Sequence, residues 1–122
     1  MPRPTPSTAL ERLRVLDLTR VRAGPTCARI FADFGADVIK IESPPGLDPN
    51  ENMSGPRHGY DMQNLHRNKR SLTLNLKTES GKAILRRLIA DADLLVDRKS
   101  VEEGKSVDLG GSRILKKKTP RT

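Results

Sequence analysis

Tryptophan is absent from this 122-residue chain, and Phe31, Phe34 and Tyr60 are its only aromatic side chains. Any core must therefore be built from Leu, Ile, Val and Ala, which suits the buried strands of an α/β sheet. Cysteine occurs once, as Cys27, which excludes an intramolecular disulfide and a thiolate metal cluster. No apolar run is long enough to span a membrane, and the N-terminus lacks the apolar stretch of a signal peptide, so the expected location is cytoplasmic with no membrane partner. Hydrophobic residues make up only 34% of the chain against 31% charged ones, too little for a self-sufficient core, and the chain is expected to be a fragment.

Charge is abundant but unevenly placed. The formal net charge is +8, yet residues 98–122 hold eight Lys/Arg against three Asp/Glu, whereas residues 1–97 hold fifteen against twelve. The body is therefore only mildly basic, compatible with an anionic small molecule and not with a nucleic-acid surface.

Residues 1–9 carry Pro2, Pro4 and Pro6 and are expected to form a disordered lead-in. Arg14 to Leu18 and Asp37 to Glu42 read as buried strands. Between them Pro25 suits the first turn of a helix, Cys27, Ile30, Phe31 and Phe34 share one face, and Gly35 closes the element. Strand, loop, helix and strand within about thirty residues is the size of a parallel βαβ crossover.

Residues 43–67 are rich in proline and glycine and read as one long loop, a length that usually signals function. Ser71 to Leu76 alternates strictly, as a half-buried strand does. Thr78 suits an N-cap for a helix with an apolar stripe of Ile84, Leu85, Leu88, Ile89 and Ala92, and Leu94 begins a further strand. Beyond Val96 the texture changes to an aperiodic, charged stretch, so residues 98–122 are expected to be a disordered basic tail.

The loop Thr19-Arg20-Val21-Arg22-Ala23-Gly24-Pro25 joins a strand's carboxyl end to a helix N-terminus, where open α/β sheets bind ligands and where backbone N–H groups favour anions. A dinucleotide fingerprint fails here, because the loop offers one glycine followed by a proline without an N–H. Asn68-Lys69-Arg70-Ser71 gathers cations beside a sheet edge, fit either for a phosphorylated nucleotide or for solvent. Gly104-Lys105-Ser106 is no P-loop, since Lys99 stands where the first glycine belongs. His58 and His66 lack the spacing of metal ligands, and no metal site is expected.

Residues 15–42 (VLDLTRVRAGPTCARIFADFGADVIKIE) and 68–96 (NKRSLTLNLKTESGKAILRRLIADADLLV) closely resemble the start of the class III CoA-transferases, the group of formyl-CoA transferase and α-methylacyl-CoA racemase. The resemblance covers roughly residues 10–97 and implies a Rossmann-like α/β fold. It also implies coenzyme A binding by Val21 and Arg22 and by Leu74, Asn75, Leu76 and Lys77, with backbone groups meeting the adenine and cations the phosphates. Ser43 stands where relatives often carry an arginine.

The implied reaction moves CoA from an acyl-CoA to a carboxylic acid through an aspartyl anhydride, in interlocked homodimers; a racemase of the same fold is the alternative. No residue here matches the nucleophilic aspartate, so the chain itself is expected to be an inactive, truncated piece. Val96-Asp97-Arg98-Lys99 leaves the family pattern, and Asp97 through Lys118 resembles the translation of a sequencing-library adaptor. A small basic nucleic-acid-binding protein is the reading from a different class, with its binding confined to the tail.

Overall fold

The computed structural model describes residues 7–20, 23–47, 59–97 and 113–116. In chain order the elements are β1 (Arg14–Asp17), α1 (Ala23–Asp33), β2 (Asp37–Glu42), α2 (Tyr60–Leu65), β3 (Arg70–Thr73), α3 (Glu79–Asp91), β4 (Leu94–Asp97) and β5 (Arg113–Lys116). They build one sheet in the order β3-β2-β1-β4-β5. The first four strands are parallel and β5 lies antiparallel to β4. The α/β class and the parallel β1–α1–β2 unit read from sequence are both present.

Side-chain alternation splits the core in two. Leu16, Ile39, Ile41 and Leu95 pack with Leu85 of α3, while Val15, Val38 and Val96 pack with Ala28 and Ala32 of α1. Neighbouring strand residues point to opposite faces, so α1 and α3 cover opposite sides of the sheet. Strands β1, β2 and β4 are buried on both faces, which is why these segments read as continuous apolar runs.

The strand order also positions the site. The chain steps outward from β1 to β2 to β3, then returns to place β4 on the other flank of β1. The β1–α1 and β3–α3 connections both leave the carboxyl edge of the sheet, where open α/β sheets commonly bind ligands.

Several sequence expectations change. The buried residues of α1 are Pro25, Ala28 and Ala32, whereas Ile30 and Phe34 are each 51% exposed. Small side chains let the helix approach Val15 and Val38 closely, and the bulky apolar residues turn outward. Residues 43–67 are not wholly loop, because Tyr60–Leu65 forms α2, whose single buried residue, Leu65, gives no period to detect. The strand expected over Ser71–Leu76 is Arg70–Thr73, though Leu74, Leu72 and Leu76 still pack into the α3-side core. Ile84 is exposed, while Thr78 caps α3 as expected, its hydroxyl accepting from Gly81 N at 3.0 Å.

Order also extends further at both ends than composition suggests. Ser7 N donates to Asp33 O and Leu10 N to Phe34 O, fastening the lead-in to the end of α1. Gly35 there has φ 102, and a side chain on it would strike Ser7 O, so glycine is required twice over. Within the stretch expected to be disordered, Arg113–Lys116 forms β5; the other residues of 98–122 lie outside the described ones.

Candidate functional site

Charged residues inside buried strands are costly unless paired. Asp17 and Lys40 are such residues. They sit opposite one another in the β1–β2 register, both on the α1 face and both at the carboxyl end of the sheet.

Asp17 is fully buried and satisfied. One carboxylate oxygen accepts from Thr19 N at 2.9 Å and from the Thr19 hydroxyl, and the other accepts from Lys69 Nζ at 2.7 Å. Lys69 also donates to Pro25 O at 3.1 Å and lies 3.0 Å from His66 Nδ1. Lys40 Nζ donates to Thr19 O at 3.2 Å. Two lysines from distant elements therefore hold the ends of the β1–α1 loop.

Burial shapes the titration of this cluster. Desolvation, helped by the charges of Lys40 and Lys69, lowers His66 from its ordinary value to about 4. A neutral ring then accepts from the Lys69 ammonium at Nδ1 and keeps its proton on Nε2. Burial likewise pulls Lys69 below the usual lysine range, against the opposing Asp17 carboxylate.

Local geometry closes the loop tightly. A Cβ on Gly24 would fall 2.4 Å from Thr19 Cβ, so the ends of the loop touch and glycine is needed for space. Beside this cluster a cavity of about 260 Å³ opens between α2 and strands β2 and β3, lined by Lys40, Glu42, Met62, Gln63, His66, Arg67, Lys69, Arg70 and Ser71.

The residues implied as CoA ligands divide into two groups. Val21 and Arg22 lie outside the described residues, between Arg20 and the start of α1. Leu74, Asn75, Leu76 and Lys77 form the turn between β3 and α3, beside the carboxyl end of β2, where Leu74 N donates to Glu42 O at 2.8 Å. Leu74 and Leu76 send their side chains into the core. Asn75 shapes the turn, its Oδ1 accepting from Lys77 N at 3.0 Å and its carbonyl from the Thr78 hydroxyl at 2.9 Å. Lys77 Nζ donates to Leu47 O at 3.3 Å, bridging to the segment after β2.

The Asn68-Lys69-Arg70-Ser71 cluster is not the free cationic patch its sequence suggests. Lys69 is sealed against Asp17, Arg70 binds Asp37, and the Ser71 hydroxyl donates to Glu42. Sequence reasoning gave Asp17 and Lys40 no role and weighed His66 only as a metal ligand; the available signal was an acid and a base each set between apolar strand residues. Among the described residues no group of three or more His, Cys, Asp or Glu gathers as metal ligands, and no helix is long and apolar enough to cross a membrane.

The profile of CoA-transferase family III matches residues 10–121. The chain belongs to that family. The match runs past the change of texture at residue 97. Formyl-CoA:oxalate CoA-transferase of Escherichia coli O6:H1 is 44% identical over 94 residues, covering 75% of this chain and 23% of that protein. Among solved structures, a CAIB/BAIF family protein from Brucella suis is 36% identical with a TM-score of 0.63, covering 76% of this chain and 26% of that one. The hypothetical protein Rv3272 from Mycobacterium tuberculosis is 34% identical with a TM-score of 0.63, over 77% of this chain and 26% of that one. The chain thus spans about a quarter of the length of these family relatives.

Proposed function

We propose that this chain supplies the N-terminal half-site for coenzyme A in a protein that moves CoA from an acyl-CoA to a carboxylic acid. Family membership over residues 10–121 carries the reading. The similarity to a formyl-CoA:oxalate CoA-transferase supports a transferase in preference to a racemase.

In this proposal the ligand lies along the carboxyl edge of the sheet. Val21 and Arg22, which follow β1 in sequence, are among its ligands, and the main chain of Leu74, Asn75 and Leu76 meets the adenine. Arg22 and Lys77 supply cations for the phosphates, whose charge the +3 body of the chain tolerates. Coenzyme A is the substrate carrier and no metal takes part.

The chemistry belongs to the whole protein. A carboxylate attacks the thioester carbonyl and the CoA thiolate leaves, giving a mixed anhydride; the thiolate then attacks the enzyme-derived carbonyl and releases the donor acid, and the resulting enzyme thioester passes CoA to the acceptor acid by the same two exchanges in reverse. An aspartate from outside the stretch covered here supplies that carboxylate, in a cytoplasmic, interlocked homodimer.

Equilibrium titration of the 122-residue chain with CoA, run beside a duplex DNA oligonucleotide, tests the reading. Saturable CoA binding that weakens in Lys77→Ala is the expected result. Retention of DNA without any binding of CoA would overturn it.

A further inference from the structure

Thr19, two residues after β1, and Pro25, in the first turn of α1, are tied to one ammonium group that belongs to neither of these elements. Lys69 Nζ bonds Asp17 at 2.7 Å and the Pro25 carbonyl at 3.1 Å, and Asp17 in turn accepts from both the backbone N–H and the hydroxyl of Thr19. An unbroken path of bonds therefore runs from Thr19 through Asp17 and Lys69 to Pro25. It is sealed from water, with side-chain exposures of 1% for Lys69 and 0% for Asp17.

Such a pair is a poor source of stability, because apolar residues of equal volume commonly do as well. Its directional bonds do fix geometry. The turn that delivers Lys69 is itself pinned at the far end of α1: Asn68 adopts φ 64 and donates to Asp33 at 2.9 Å, and Arg67 meets the same carboxylate at 2.7 Å. Lys69 also directly precedes β3, whose other end runs into Leu74–Lys77. One residue is thus bonded to residues that flank one half of the proposed site and joined through four strand residues to the other.

We propose that Lys69 is a positioning residue for CoA binding: its buried ammonium holds the mouth of the β1–α1 loop in the shape that receives the ligand, and holds it in step with the turn after β3. The consequence for affinity rests on the CoA reading above; the clamp itself does not. Lys69 touches no ligand in this account. It removes conformational freedom that binding would otherwise have to remove.

The test uses the 122-residue chain carrying Asp17→Asn together with Lys69→Met, which removes both charges with little change of volume. Amide hydrogen exchange and CoA titration are read on the same samples. The expected result is unchanged protection of core amides such as Leu85 and Val96, faster exchange at Thr19, Gly24 and Thr26, and CoA affinity weaker by about tenfold. Unchanged affinity together with unchanged exchange at Thr19, Gly24 and Thr26 would overturn the proposal.

If the parent chain binds no CoA, the CoA reading falls, while the exchange rates at Thr19, Gly24 and Thr26 still decide the clamp. Thr19→Val provides a second route should the double variant not fold. It removes one bond of the path and keeps the ion pair and the side-chain shape. Faster exchange at Gly24 and Thr26 is expected there too, and unaltered exchange would overturn the clamp.

Discussion

The two halves of the proposed site are held in opposite ways. The mouth of the β1–α1 loop is fixed by buried charges arriving from far along the chain, Lys40 from β2 and Lys69 from the turn before β3. The turn after β3 is fixed mainly by its own neighbours: Asn75 accepts from Lys77 and Thr78, and Thr78 caps α3. A loop held by distant charges depends on the whole sheet being assembled. A turn held by local bonds does not. The first half is therefore the more vulnerable to remote substitution, and the second to changes within a few residues.

The sharpest way to break this contrast is Lys69→Met alone, which leaves the Asp17 carboxylate buried without its cation and should cost about 3–5 kcal/mol in denaturant unfolding. Gly81→Ala attacks the other half. Its Cβ would fall 1.9 Å from the Asn75 carbonyl, so the turn must move, at a cost of about 1–3 kcal/mol. Its chemical-shift changes should be confined to Asn75–Thr78 and spare Thr19 and Gly24. Thr78→Ala removes the cap of α3 and should cost about 1 kcal/mol, again with shifts restricted to that turn.

The last effect concerns pH. An unfolded histidine binds a proton below its ordinary value of 6.5, whereas folded His66 resists until about 4. Within that window the unfolded state holds more protons, so stability falls as the pH drops from 6.5 towards 4 and this contribution levels off below. Urea melts at the two ends of the window should show the loss, and His66→Gln should flatten it.

Much of the sheet was legible in sequence because buried parallel strands write themselves as β-branched runs. Arg14–Leu18 and Asp37–Glu42 correspond to β1 and β2 within a residue. The orientation of α1 was not legible. Cys27, Ile30, Phe31 and Phe34 make the more apolar stripe, yet close helix–sheet packing selects Pro25, Ala28 and Ala32 for burial. The long stretch 43–67 hid α2, six residues with one buried position. The charged cluster was equally hidden, since Lys69 meets Asp17 across 52 positions and no local pattern encodes that meeting. What sequence could have shown is the anomaly itself: an aspartate between Leu16 and Leu18 and a lysine between Ile39 and Ile41.

The account stands most directly on the carboxyl edge of the sheet being one CoA half-site made of two segments. Titration of the isotopically labelled chain with CoA, following the amides of Arg20, Gly24, Asn75 and Lys77, measures this. Saturable shifts of both segments with a single binding constant are the predicted result. Shifts confined to one segment, or none in either, would contradict it.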